Sequence, residues 1–201
     1  MPDFSYELEA KNKGYNFVCG VDEAGRGPLA GPVCAAAVIL PKDCVIDGLN
    51  DSKKISEKKR EQLFDVIIEK ALAYNIAYGT LEEIEKCNIL EATYIAMNRA
   101  IDGLNINADF ALIDGNRVPK GIKIPCETVV KGDSKSFSIA AASILAKVTR
   151  DRLMLEYDKK YPQYLFSAHK GYGTKAHYEA IKEHGVCEIH RLSFLKNVLG
   201  K

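Results

Sequence analysis

At 201 residues, 47% hydrophobic and 27% charged, the chain can bury the core of one domain and has the composition of an ordinary globular protein. Its 28 Lys/Arg and 27 Asp/Glu leave a net charge of +1, so whole-chain charge gives no sign of a nucleic-acid or membrane-surface partner. No apolar run is long enough to cross a bilayer, the start Met1-Pro-Asp-Phe-Ser-Tyr-Glu7 lacks the basic and apolar regions of a signal peptide, and the six cysteines (19, 34, 44, 87, 126, 187) form no C-x-x-C pair; free thiols, a reducing compartment and a cytoplasmic protein are expected.

Along the chain, Phe17 to Val21 and Val33 to Leu40 are apolar runs separated by Gly25, Gly27, Pro28, Gly31 and Pro32. They predict two strands joined by a tight connection, a hairpin opening a sheet. Ser56 starts a helix, with Lys59 where a capping box would place Glu, and Leu63, Phe64, Ile67, Ile68, Ala71 and Leu72 follow at helical spacing. Asn75 to Leu81 predicts a strand and Leu90 to Ile101 a helix. Phe110 to Ile113 predicts a short strand ending at the turn Asp114-Gly-Asn, and 122–124 and 127–130 predict two more. Ser134 is expected to open a long helix with Phe137, Ala141, Ile144, Leu145 and Val148 as its inner stripe. Ala140-Ala-Ala-Ser permits close packing there, and Pro162 stops the helix. Segments 174–184 and 191–198 read as weaker helices. Strands and helices alternate without a repeat or linker, which predicts an α/β class with a mixed sheet.

The carboxylates stand out by position. Asp22 and Glu23 end the first apolar run, Asp114 ends another, and Asp133 precedes the long helix. Strand ends converge on the functional edge of an open α/β sheet. Carboxylates meeting there repel unless a divalent cation neutralises them, and hard oxygen ligands select Mg²⁺ or Mn²⁺ over Zn²⁺. Each acid taken singly serves equally as a turn former, and Asp133 as a helix cap. Gly25-Arg26-Gly27 lies directly beside Asp22-Glu23; two glycines let the backbone approach a ligand, and arginine suits phosphate or sugar. Charge is also unevenly spread. Residues 131–175 hold nine Lys/Arg against four acids, and residues 1–50 hold four against seven, compatible either with a phosphate-holding surface beside a cation-holding cluster or with two solvated faces. Lys53, Lys54, Lys170 and Lys175 are candidates for phosphate contacts. His177, His184, Cys187 and His190 could be offered as a zinc site, but their spacing fits no common finger.

Val21-Asp-Glu-Ala-Gly-Arg-Gly-Pro-Leu-Ala-Gly-Pro-Val33 strongly resembles the opening active-site motif of the bacterial ribonuclease HII family. The resemblance continues in order through 49–54, 112–117, 131–136, 140–151, His169-Lys-Gly-Tyr-Gly-Thr174 and Ile189-His-Arg191, from about residue 15 to 197. It implies a ribonuclease H-like fold: a mixed five-stranded sheet flanked by helices with a helical C-terminal part, one domain over 1–201 with a core of about 15–160 and the remainder at about 161–201. It implies an endonuclease that hydrolyses the RNA strand of RNA–DNA hybrids and cuts 5′ of single ribonucleotides in duplex DNA, leaving a 5′-phosphate and a 3′-hydroxyl. It implies catalytic, metal-binding acids at Asp22, Glu23, Asp114 and Asp133 with two divalent cations, Mn²⁺ or Mg²⁺. Gly25, Arg26 and Gly27 map onto the loop that inspects the ribonucleotide, and Tyr172 onto a tyrosine that stacks on the adjoining sugar. The alternatives are a non-catalytic nucleic-acid-binding protein of this fold, which would lack one of the acids, and a DNA-only junction nuclease, which would not need the loop. The related ribonuclease HIII resembles a longer chain without this Gly-Arg-Gly. The chain departs from the family pattern at Leu165, Val186, Glu188 and Leu192, which bears on C-terminal contacts with the duplex. A monomer is expected. Family members dock on a replication clamp protein through a C-terminal peptide, but Lys196-Asn-Val-Leu-Gly-Lys201 contains no clear clamp motif.

Overall fold

The computed structural model describes residues 2–196. Five strands make one sheet, β1 (Val18–Ala24), β2 (Val33–Ile39), β3 (Ala73–Gly79), β4 (Phe110–Asp114) and β5 (Cys126–Val129), in the order β3-β2-β1-β4-β5. β1 is central. It runs antiparallel to β2, which pairs antiparallel with β3, and parallel to β4, which pairs parallel with β5. The mixed sheet has the predicted class. The connection from β1 to β2 is not a tight turn: residues 25–32 form a wide loop, tied through Ala30 to His190 near the C-terminus.

Strand alternation distributes the apolar residues to both faces. Cys19, Val21, Val33, Ala35, Ala37 and Ile39 bury against α3 (Leu81–Asp102), through its Ile84, Ala92, Ala96 and Met97. On the other face Cys34, Ala36 and Val38 meet α2 (Glu57–Lys70) and α4 (Phe137–Lys160). α1 (Ser5–Asn12), not foreseen in the sequence, brings Ala10 into a cluster with Val18, Phe110 and Leu112 of the sheet and Ile139 of α4. Its buried Glu7 accepts hydrogen bonds from the Ser136 hydroxyl (2.6 Å) and the Ser138 amide (2.9 Å), closing the N-terminus of α4.

Several predicted elements differ: β3 runs Ala73–Gly79 instead of 75–81, and α2 ends at Lys70, before Ala71 and Leu72. The α4 cap is Ser136, which accepts from the Ile139 amide, and Ser134 belongs to a preceding 3-10 turn. Residues 122–124 form no strand. They lie between Pro119 and Pro125, which lack the N–H a ladder needs, and Ile122 and Ile124 pack against the α3-side core instead. α3 begins nine residues before its predicted start, from the Thr80–Glu83 capping box, and kinks at Asn88 (φ 74°). In 191–198 the described part holds a 3-10 turn at Leu192–Phe194, and 197–198 lie outside the described residues.

The C-terminal part adds α5 (Phe166–His169) and α6 (Lys175–His184, capped by Thr174), whose side chains bury Leu29 and Ala30 of the wide loop together with Tyr164, Phe166, Ile181 and Ile189. Helix α4 lies close to β1 because Gly20 has no side chain. A Cβ there would stand 2.1 Å from the Ser138 carbonyl carbon. Gly20→Ala is therefore expected to destabilise by about 3 kcal/mol, the upper end for overpacking because backbone must move, as measured by urea unfolding. Leu165 is half exposed and left-handed (φ 57°, ψ 41°), a conformation that costs a branched residue about 1–2 kcal/mol. Leu165→Gly should stabilise by about 0.5–1 kcal/mol after glycine's entropy cost; an unchanged or lower melting temperature would contradict this.

Candidate active site

Parallel pairing of β1 with β4 sets Val21 beside Ile113, so the next residues, Asp22 and Asp114, emerge at one level of the sheet edge. Alternation sends Asp22 toward α4 and Glu23 toward α3. Asp22 is buried, 5% exposed, and its carboxyl is held well above the usual carboxylate range by burial, then by Glu23 and by Asp114. The Asp22 carboxylate accepts from the Glu23 amide at 2.7 Å and is hydrogen-bonded by the Ser143 side chain of α4. The Ser143 hydroxyl oxygen lies 2.9 Å from that of Ser52, which donates to it when Ser143 donates to Asp22. Glu23 meets the Arg26 guanidinium at 3.2 Å. Asp114 accepts from the Gly132 amide at 2.6 Å. That bond fixes the turn carrying Asp133, which is itself buried and adjacent in sequence to Gly132. Among the described residues, no three His, Cys, Asp or Glu side chains form a ready-made metal-binding group. The donor set fits a hard cation nonetheless: carboxylate oxygens, one of them buried beside like charges that only positive charge relieves.

Two hollows meet along Glu23 and Arg26. One, about 300 Å³, is lined by Glu23, Arg26, Asp114 and Asn116 against Tyr94 and Met97 of α3. The other, about 350 Å³, is lined by Asp22, the Gly25-Arg26-Gly27 backbone, Ser52, Lys147 and Tyr172. Tyr172 is exposed, and its ring faces Gly27 at ordinary contact distance: a Cβ on Gly27 would stand 3.7 Å from it. The predicted loop and tyrosine thus share one cleft with Asp22 and Glu23.

The lysines are more dispersed. Lys54 is exposed beside Asp51 at 3.8 Å. The Lys53 backbone lies in the 3-10 turn Ser52–Lys54 next to the cleft, and its side chain lies outside the described residues. Lys170 turns its ammonium to the Ser167 carbonyl (2.6 Å) and sits 4.0 Å from Glu57. Lys175 is exposed at the start of α6, with Glu179 at 3.8 Å. Sequence reasoning did not single out Ser52, Ser143 or Lys147 as lining the cleft. Only the packing of α4 against β1 brings them there, although Ser143 could have been flagged as a polar residue in an otherwise apolar helix stretch.

The imidazoles suggested as zinc ligands are used differently. His177 Nδ1 lies 2.9 Å from the Tyr172 carbonyl and His177 Nε2 lies 3.1 Å from His190 Nε2. His190 Nδ1 accepts from the Cys187 amide at 2.9 Å. These contacts fix one direction of donation: His190 Nε2–H to His177 Nε2, and His177 Nδ1–H to Tyr172. Both rings are then neutral, with no lone pair left for a metal, and they anchor the backbone of Tyr172. His184 lies off this chain, beside Glu183.

A family model described as Ribonuclease HII matches residues 19–197. A ribonuclease HII of Clostridioides difficile (strain 630) is 58% identical over 194 residues, covering 96% of this chain and 76% of that protein. One from Endomicrobium trichonymphae is 59% identical over 191 residues, covering 95% and 91%. The crystal structure of the ribonuclease H2 from Pyrococcus horikoshii OT3 superposes with a TM-score of 0.75 at 27% identity, over 89% of this chain and 93% of that one. The five-stranded mixed sheet with its flanking helices is a ribonuclease H-like fold. The chain belongs to the ribonuclease HII family, and with it to the ribonuclease H endonucleases.

Burial lowers His177 to about 4. The unfolded chain, with an ordinary imidazole near 6.5, binds a proton that the folded one refuses between those values. Stability is therefore full above pH 6.5 and falls as pH drops toward 4, by on the order of 2 kcal/mol for this ring after discounting for its polar neighbours. His177→Asn should flatten that slope in denaturant titrations; an equally steep slope in the variant would remove His177 as its source.

Proposed function

We propose that this chain hydrolyses the RNA strand of RNA–DNA hybrids and cuts on the 5′ side of a single ribonucleotide embedded in duplex DNA, leaving 5′-phosphate and 3′-hydroxyl ends. The observation that carries the reading is the shared cleft. Asp22 and Glu23, a backbone-lined glycine loop and an exposed tyrosine ring lie around one hollow, with Asp114 on the adjoining wall. Asp22, Glu23, Asp114 and Asp133 are the proposed catalytic residues and the ligands for two divalent cations, Mg²⁺ or Mn²⁺. Bound there, such cations supply an activated water and a counter-charge for the leaving oxygen.

The chain's own residues do the rest. The Ser143 hydroxyl holds the Asp22 carboxyl toward the cleft. Backbone amides of the Gly25-Arg26-Gly27 loop, which lines the hollow beside Asp22, would hydrogen-bond around a 2′-hydroxyl, the one group that separates ribose from deoxyribose. Arg26 offers its guanidinium from the same loop. Tyr172 offers a flat face to the next sugar, where an additional 2′-oxygen would crowd it; the preferred junction is then a ribonucleotide followed by DNA. Lys53, Lys54 and Lys170 are proposed phosphate contacts, which position the duplex without reading sequence.

An end-labelled DNA duplex with one ribonucleotide tests this. With Mg²⁺ or Mn²⁺ the wild type should nick it 5′ of the ribonucleotide, leave the all-DNA duplex intact and stop in EDTA. Asp22→Asn should lower the rate by more than about a hundredfold, a barrier rise of about 2.7 kcal/mol. Tight binding without cutting by folded wild type would instead favour a binding module.

A further inference from the structure

Two arginines are almost completely buried, Arg150 at 1% and Arg191 at 0% exposure. Neither forms an ion pair with a carboxylate among the described residues; each spends its guanidinium on main-chain carbonyls. Arg191, at the C-terminal end, donates from Nε to Gly31 (2.8 Å), from Nη1 to Arg26 (2.9 Å) and from Nη2 to Gly25 (2.6 Å). Arg150, on α4, donates from Nε to Pro32 (3.2 Å), from Nη2 to Ala30 (3.0 Å) and from Nη1 to Lys170 (3.0 Å). The Leu29 carbonyl accepts from the Arg191 amide as well.

Burying a guanidinium without a counter-charge is costly, and well-packed apolar residues would usually serve stability as well or better. The expense has a geometric consequence. Six of the eight carbonyls in residues 25–32 point into the protein. The N–H groups of Arg26 and Gly27, both exposed, have no acceptor among the described residues. At Arg26 and Gly27 the loop therefore presents donors outward, while the Leu29 and Gly31 amides bond inward to the Gly171 and Ile189 carbonyls. Arg150 also joins two loops: it grips Ala30 and Pro32 on one side and Lys170 on the other, two residues before Tyr172, and its guanidinium carbon lies 6.0 Å from the Tyr172 ring centroid. Gly25 is required for this arrangement. Its φ is +94°, and a Cβ there would stand 2.0 Å from Arg150 Nε.

We infer that Arg150 and Arg191 are positioning residues for ribonucleotide recognition, turning the Arg26 and Gly27 amides outward and fixing their spacing from Tyr172. The inference rests on the function proposed above, in which that loop and that ring read the sugar. Such a clamp acts by preorganisation: the cost of fixing the loop is met in folding, not at binding.

The test compares wild type, Arg191→Lys and Arg150→Lys. Lysine keeps the charge but lacks the wide planar fork that reaches three separate carbonyls. Dissociation constants are measured for a one-ribonucleotide duplex and the matched all-DNA duplex, with Ca²⁺ in place of Mg²⁺ to hold cleavage off, beside circular dichroism and melting. Folded variants should lose at least tenfold of the preference for the ribonucleotide duplex and keep all-DNA affinity within about twofold. A folded variant with undiminished preference would overturn the inference. Absence of any preference in the wild type would overturn the proposed function first. If the variants do not fold, the wild-type Arg150 and Arg191 Nε–H resonances decide. They should shift on adding the ribonucleotide duplex and not the all-DNA duplex; identical spectra with both would count against the clamp.

Discussion

The arrangement depends on holding like charges together at the edge of a sheet. Asp22 is buried with Glu23 and Asp114 as neighbours, and ionising it there is disfavoured by burial and by both charges at once. No ion pair to a basic side chain offsets the Asp22 charge among the described residues; its contacts are a backbone amide and the Ser143 side chain. The strain is sustained by what surrounds it. β1 is paired on both sides, and α4 packs tightly over it because Gly20 and the Ala140–Ala142 run remove side-chain bulk. Such a site stores affinity for positive charge, and the rigid sheet keeps the carboxylates from relaxing apart.

A second consequence concerns the C-terminal part. Its apolar cluster is small, and part of that cluster belongs to the wide β1–β2 loop, through Leu29 and Ala30. The loop, Tyr172 and the final described residues are thus one packed unit. His177 and His190 fix the Tyr172 backbone from below while Arg191 fixes the loop. The departures from the family pattern fall around this unit without breaking it. Leu192 is exposed, and the buried guanidinium is that of Arg191. Glu188 pairs with Lys160 on the surface. Leu165 carries backbone strain, a local cost with no contact to the cleft lining.

Much of this was legible in the residues. Acids closing short apolar runs, a glycine-flanked arginine beside them and the ordered blocks of the ribonuclease HII pattern located the cleft and its walls. Where the reading failed, local signals competed. The Thr80–Glu83 capping box was present in the sequence, but the apolar run through Leu81 masked it. Ser134 and Ser136 are equally good caps by type; the choice was made by Glu7, more than a hundred residues away, which bonds Ser136. Residues 122–124 alternate like a strand, yet the flanking prolines leave no ladder for them to join.

By itself the sequence determined the class of fold and the family, and it singled out the strand-end acids and the glycine loop as candidates, because periodicity, strand ends and residue type are local properties. Only the tertiary structure decided what lies beneath that chemistry. The sequence assigned no role to Arg150 or Arg191 individually, and it offered none for His177, Cys187 and His190 beyond a zinc site whose spacing fits no common finger. Burial supplied the roles: a guanidinium or imidazole without water must find hydrogen-bond partners wherever the fold supplies them. Here the fold supplied the carbonyls of the loop and of Tyr172.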